Sequence, residues 1–465
     1  MRHPPEGMVD VDLDGPGGPE GSARDGDPAR PAGGSGAGRP RVAARGLVVA
    51  LLVAVLLAVT WRTVADNRDA RMLAAYAGVP GISASLRQPL TETYRAAARA
   101  VLVVAGDTVL VRGGDGLTAV DARSGVVRWT RGVEGPGTTG LERCAVAADG
   151  ANVACAVLSP TAHVLHVDLA DGSVTATTPL PVGVVDWALL EDDVLLARRD
   201  GGRLVVARVA PGTTTTDAGR PGVVWRASAP LGDRPEARPL LLGSRDGLVT
   251  VTGAVAVVVR ADDGRLLGAW TPARGHNRVD VATTPDGFGV WPSPARGRWF
   301  DRTGTARGEV PGSPVTERVT DGSAPEVVLT LSPLLTAVDV RTGEVLWARG
   351  DGGSLQPSAL PLRLDGLVVL PEGDRLLGMD VRTGRPRWSA PAPRTTQTLF
   401  SRPLTDGRRL VLTDLDDAGA LVLRALDLAS GKDVWRVPAP ASSLWVYGIG
   451  GRGVMQGGGD VVVLG

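Results

Sequence analysis

Two stretches of the chain read almost alike: Val338-Asp339-Val340-Arg341-Thr342-Gly343-Glu344-Val345-Leu346-Trp347 and Met379-Asp380-Val381-Arg382-Thr383-Gly384-Arg385-Pro386-Arg387-Trp388. The same spacing returns with Asp121, Gly125 and Trp129, and again with Asp427, Gly431 and Trp435. The chemistry of the unit is local. A strand ends at the Asp, whose carboxylate accepts hydrogen bonds from the turn backbone. The Gly supplies the positive φ that the turn requires. A second strand follows, and the Trp four residues past the Gly projects toward a neighbouring unit, with about 200 Å² of ring surface to bury. On this reading these residues build structure and do no catalysis.

Weaker copies lie at Asp168 to Gly172, at Ala261 to Gly264 with Trp270, and at Asp301 to Gly304. A degenerate unit is placed around Leu204–Val209 and Trp225. The eight units recur about every 44 residues, the size of a four-stranded propeller blade. From Leu90 onward, short β runs alternate with Gly, Asp-Gly and Pro turns. The 63 Gly and 35 Pro of the 465 residues suit so many turns. Together these features predict an all-β chain folded as an eight-bladed β-propeller over residues 90–465. Three further strands after Trp435 lack a fourth, and Leu90–Arg95 is an orphan fourth strand with Tyr94 in place of the Trp. Pairing the two ends in one blade removes the open edges of the ring. The strand tally allows eight or nine sets, and eight is the expectation.

The Asp-x-x-Thr-Gly-x-x-x-Trp units resemble the repeats of pyrroloquinoline-quinone-type propellers. That group includes quinoprotein alcohol dehydrogenases and the propeller lipoprotein that assists outer-membrane protein assembly. The resemblance implies a propeller outside the cytoplasm, but no single function, because the fold carries both enzymes and scaffolds. The dehydrogenase branch implies a vicinal disulfide over the quinone, calcium ligands that include an amide, and a catalytic Asp. Here the cysteines are not adjacent, and Asn occurs only at positions 67, 152 and 277. No residue is assigned to pyrroloquinoline quinone or to calcium, and neither cofactor is expected. The lipoprotein branch implies a lipobox Cys, which does not follow the apolar run described next.

Residues 1–45, rich in Gly, Pro, Asp and Arg, predict a disordered cytoplasmic tail. Gly46 to Trp61 is free of charge and is bracketed by Arg45 and Arg62. As a helix it is about 24 Å long, and snorkelling of both Arg side chains extends it to span a bilayer. A single uncleaved transmembrane helix over 46–65 is the expectation, followed by a stalk or linker at 66–89. Arg39, Arg41 and Arg45 favour a cytoplasmic N-terminus and an extracytoplasmic propeller. Arg62, Arg68 and Arg71 weaken that asymmetry.

Cys144 and Cys155 flank Asp149-Gly150, a two-residue hairpin signal. Counting back from the turn puts the two cysteines directly opposite each other, within disulfide reach, so a structural disulfide is expected in an oxidising compartment. His163 and His166 fall on opposite faces of one strand, which disfavours a shared metal. Asp414, Asp416 and Asp417 form an acidic loop that reads as a solvated turn. Net charge is zero, with no basic stripe for nucleic acid. The functional expectation is a membrane-anchored, non-catalytic propeller that recognises an unidentified protein or envelope ligand through its loops. A quinone- or metal-dependent oxidoreductase and an envelope sensor coupled to the tail are the alternatives.

Overall fold

The computed structural model describes parts of residues 53–84 and, from 85 to 465, all but 98–99, 113–115, 133–140, 158–161, 213–221, 232–239, 294–295, 316, 351–359, 396–402, 442–445, 450 and 458–459. The predicted tail over 1–45 lies outside the described residues. Of the predicted span 46–65, residues 53, 55, 56, 59, 60 and 62–64 are described, all helical. Among the described residues no helix is long and apolar enough to cross a membrane, so the expected membrane helix gains no support from them. Residues 1–64 and 65–465 form two compact units, and among the described residues the strands lie in the second.

Residues 65–465 form a β-propeller of nine blades, not eight. Blade 1 shows the pattern: an inner strand Ala100–Ala105, a second Thr108–Arg112, a third Gly116–Asp121 and an outer strand Val127–Gly132, each antiparallel to the next. Blades 2 to 5 repeat it, with inner and outer strands Leu141–Val146 and Val174–Pro179, Val184–Leu190 and Val223–Pro230, Leu241–Arg245 and Leu266–Trp270, then Asp280–Thr284 and Ala306–Pro311. Blade 6 runs from Ser313–Pro314 to Val345–Arg349, blade 7 from Leu360–Leu364 to Pro386–Pro391, and blade 8 from Leu404–Thr405 to Asp433–Pro438. Blade 9 takes Val446–Ile449, Arg452–Gly457 and Asp460–Leu464 from the C-terminus and its outer strand, Glu92–Ala97, from the other end of the domain.

The count of eight fails for a definite reason. Each glycine of the repeat marks the turn from a third to an outer strand. Blade 9 has no such turn, because its third and outer strands, Asp460–Leu464 and Glu92–Ala97, come from opposite ends of the domain and meet only by pairing, Tyr94 with Val463 and Ala96 with Val461. Reciprocal bonds of 3.1 Å between Thr91 and Gly465 extend the seam. Counting turns therefore gives one fewer than the number of blades. The unit placed around Leu204–Val209 and Trp225 is a full blade, the third.

Every blade is covered on both faces, so second and third strands are apolar nearly throughout. Val249, Val257, Val258 and Val259 are all buried. The core is split accordingly into nine apolar clusters, one at each junction between adjacent blades. The junction of blades 9 and 1 is as dry as the rest: Val454, Val461 and Val463 pack on Val104, Val109 and Val120. The linker residues before the ring also take part. Tyr76, Val79 and Ile82 pack on the cluster between blades 7 and 8, and Ile82 bridges Thr405 in parallel.

Candidate functional site

The motif residues are committed to the ring. In blade 1 the Asp121 Oδ1 atom accepts bonds from the Arg123 and Ser124 amides at 3.0 and 2.9 Å. Asp380 does the same with Arg382 and Thr383 at 3.1 and 3.0 Å, and Asp427 with Ala429 and Ser430 at 3.1 and 2.9 Å. Asp339 accepts from Arg341 at 2.8 Å. The turn closes through the Gly amide, as from Gly343 to the Asp339 carbonyl at 2.7 Å. The other carboxylate oxygen of several of these aspartates holds an arginine of the outer strand. Arg128 meets Asp121 at 2.5 Å, Arg307 meets Asp301 at 2.6 Å and Arg387 meets Asp380 at 2.7 Å. Those arginines stand three residues past the motif Gly, a recurrence present in the sequence that the Asp–Gly–Trp reading passed over.

These bonds lower carboxylate pKa values. The Thr303 hydroxyl is the largest influence on Asp301, which burial alone would raise. With the Thr303 and Thr305 amides and Arg307, it holds Asp301 down at about 2 against an ordinary 3.8. Asp121 is lowered chiefly by Arg128. Burial works to raise Asp380, but Arg387 and the Thr383 bonds bring it below the usual range. A carboxylate depressed in the folded state stabilises fully above its unfolded pKa, and that stabilisation is lost as pH falls toward the folded value. Thermal unfolding followed from pH 5 to pH 2 is expected to hold steady to about pH 4 and then to drop. Asp301→Asn is expected to be less stable at pH 5 and to show a shallower acid drop. An unchanged slope would refute the assignment.

The tryptophans lock neighbouring blades. The Trp129, Trp347 and Trp388 indoles donate to the carbonyls of Leu169, Val381 and Leu428 at 3.0, 2.8 and 2.6 Å. Each acceptor is the residue after the motif Asp of the next blade. The rings lie over the next motif glycine, where an added Cβ at Gly172, Gly384 or Gly431 would meet them at 2.5–2.7 Å. Trp225 does the same toward Ala261 and Gly264, and Tyr94 sits against Gly125. Trp270, two residues further along its strand, instead packs against Phe288 and Phe300, with ring centroids 5.9 and 5.1 Å away. Trp435 meets blade 9, which has no motif turn, and donates to the Leu86 carbonyl at 2.8 Å. The Leu86 amide in turn donates to buried Asp406 at 2.8 Å. The linker thus stands in for the missing turn.

Cys144 and Cys155 are register partners in blade 2, with Cα atoms 4.1 Å apart, and are joined as a disulfide. His166 is buried beside the Thr178 hydroxyl at 3.3 Å, and burial lowers its pKa; His163 is only partly covered. The acids of the 414–417 loop are taken up by arginines: Asp414 by Arg436 at 2.7 Å and Asp417 by Arg394 at 2.9 Å. Among the described residues no three His, Cys, Asp or Glu side chains gather as metal ligands would.

A polar cavity is lined by inner-strand residues of blades 4, 5 and 7 and by residues of blade 6. After Val315 the chain leaves blade 6 and pairs as Glu317–Thr320, in parallel, with the inner strand of blade 7. It then returns to blade 6 as Val327–Ser332. The vacated edge opens onto a cavity of about 260 Å³ bounded by blades 4 to 7. Arg363, buried from solvent, pairs with Glu317 and donates to the Ala324 and Val327 carbonyls at 3.0 and 2.9 Å. Its Nε is buried without a partner. Sequence reasoning missed this pair, because 46 residues separate its members and neither belongs to a repeat.

The sequence model of the family described as outer membrane protein assembly factor BamB matches residues 214–398 and 332–465, together more than half of the chain. Among curated proteins, the serine/threonine-protein kinase AfsK of Streptomyces griseus is 30% identical over 176 residues, 36% of this chain. The chain spans about a fifth (21%) of the length of that relative. Among solved structures, BamB from Moraxella catarrhalis aligns over 81% of this chain and 99% of its own at 15% identity and a TM-score of 0.44. Quinohemoprotein alcohol dehydrogenase ADHIIG from Pseudomonas putida HK5 aligns over 85% and 81% at 12% identity and a TM-score of 0.45. On the strength of the family match and of the repeats that carry it, the chain belongs to the BamB-type family of pyrroloquinoline-quinone-like propellers.

Proposed function

We propose that this protein is a membrane-tethered, non-catalytic scaffold that captures a protein partner at one end of its propeller, outside the cytoplasm. One observation carries the reading. The two ends of the ring differ in what they leave uncommitted. At one end lie the motif turns and the tight turns between inner and second strands, whose Asp, Arg and Trp groups bond within and between blades. The segments of chain between an outer strand and the next inner strand vary in length, with 8 residues from Gly132 to Leu141, 4 from Pro179 to Val184 and 10 from Pro230 to Leu241. Segments that vary in this way on a repeated frame suit recognition. The tether rests on the uncharged run 46–61. The extracytoplasmic side is supported by the cysteine pair, which is stable in an oxidising compartment.

The test is site-specific photocrosslinking of the full chain in intact cells. A photoreactive residue placed within 232–239 or 351–359 is expected to give a discrete protein adduct, whereas one at Gly150, at the other end, is not. Adducts from both ends alike, or from neither, would count against the proposal. The purified chain titrated with pyrroloquinoline quinone and calcium is expected to show no dye-linked oxidation. A quinone-dependent rise in Tm together with oxidation would replace the scaffold by an oxidoreductase.

A further inference from the structure

The departure of residues 317–326 from blade 6 gives the cavity features that ring closure does not need. Inner-strand positions elsewhere are filled by the strand itself. Here the chain builds a fifth strand on blade 7, and the Val327–Leu329 edge, whose carbonyls accept from Arg363 and from the Val315 amide, borders the cavity. The Arg363 guanidinium and its partner Glu317 both border that void, so a charge-balanced pair forms part of its wall.

Charge decides what kind of ligand fits. Arg363 is balanced by Glu317, and Arg245 stands 3.6 Å from Asp246. An anion would face two carboxylates and a cation two guanidinium groups, so neither gains net attraction. The remaining groups alternate donors with acceptors. The Thr320 and Thr284 oxygens accept from the Gly322 and Asp286 amides at 3.1 and 3.3 Å, which leaves both hydroxyl protons to donate. Thr283 donates to Asp246 at 3.1 Å, which leaves its oxygen to accept. Opposite Thr250 stands Gly243, without a side chain, so the Thr250 hydroxyl also borders the space. Val281, Val315 and Leu329 supply an apolar wall. The volume falls just below the roughly 300–1,000 Å³ of common ligand pockets, which limits the occupant to a small molecule.

We propose that this cavity binds a small neutral polyhydroxylated molecule of monosaccharide or polyol size. Ligand hydroxyls accept from Thr320 and Thr284 and donate to Glu317 and Asp246, while carbon faces rest on the valines. The site stands independently of partner capture by the loops.

The test uses the full chain with myo-inositol and D-glucose as neutral probes and sodium phosphate as the anion, followed by calorimetric titration and Tm. Saturable binding of at least one neutral probe is expected, with a rise in Tm and no response to phosphate. Thr320→Val and Thr284→Val keep side-chain shape and leave the Arg363–Glu317 pair intact. Each is expected to weaken binding about tenfold, the value of one hydrogen bond, while melting near the parent temperature. The proposal is overturned if neither neutral probe binds, if phosphate binds more tightly than both, or if the two folded variants bind as the parent does.

Discussion

A chain beginning at residue 98 is expected to lose the cooperative thermal transition that the chain from residue 66 onward retains. The shorter form lacks Glu92–Ala97, the outer strand of blade 9. It exposes one edge of Asp460–Leu464, removes Tyr94 from Gly125, and opens the junction where Val454, Val461 and Val463 meet blade 1. Each buried Val is worth about 1.5–3 kcal/mol. Partial exposure of several, with a free strand edge, approaches the 5–15 kcal/mol that holds a typical domain folded. A chain beginning at residue 91 separates two contributions. It keeps the closing strand but loses Leu86, leaving the Trp435 indole without its acceptor and buried Asp406 without one donor. Its expected loss is about 3–6 kcal/mol, because the buried Leu86 side chain and the packing of Tyr76, Val79 and Ile82 go with the hydrogen bonds. Calorimetric scans of the three lengths would decide the matter. If the chain from residue 98 melted with the same enthalpy and midpoint as the chain from residue 66, ring closure by pairing of the two ends would be wrong.

Trp388→Ala is expected to destabilise the propeller by about 3–5 kcal/mol, the usual cost of removing a buried aromatic. The ring is 7% exposed, donates to Leu428 at 2.6 Å and lies on Gly431. Trp388→Phe keeps much of the packing and should lose closer to 1 kcal/mol for the hydrogen bond, plus some packing. The glycine beneath supplies an independent check. Gly431 has φ +69°, and an added Cβ would meet the Trp388 ring at 2.5 Å. Gly150 has nearly the same φ, +68°, and open space around it. Gly150→Ala should therefore show the backbone cost alone, roughly 1–2 kcal/mol. Gly431→Ala should cost clearly more. Combining Trp388→Ala with Gly431→Ala should fall short of additivity, because removing the ring makes room for the methyl group. Denaturant melts of the five variants measure all of this. Equal effects at Gly150 and Gly431 would show that the ring does not dock on the glycine.

What could be read from sequence was what neighbours in the chain decide. The Asp121, Asp339, Asp380 and Asp427 turns close within five residues, so composition and spacing suffice to define them. The hairpin alignment of Cys144 with Cys155 is set by one Asp-Gly turn between them. The Tyr94 substitution for Trp was visible because it occupies the same place in the repeat. The expected pairing of the two ends of the propeller region is the one that forms, Glu92–Ala97 with Asp460–Leu464, but that ninth blade has no motif turn and so was not counted as a repeat unit. Gly268 and Gly308, at positions where other blades have Trp, likewise gave no sign that Leu267 covers Gly304 or that Phe288 and Phe300 receive Trp270.

Sequence alone thus determined the all-β repeat and the device that ends each blade, because hydrogen bonds and φ angles within a turn depend on adjacent residues. Tertiary structure decided the number of blades, the use of Leu86 as a substitute turn, and the meeting of Glu317 with Arg363 beside an open cavity. Those features depend on how the ring closes and on where one strand leaves its own sheet for the next, and such contacts leave no periodic trace in the chain.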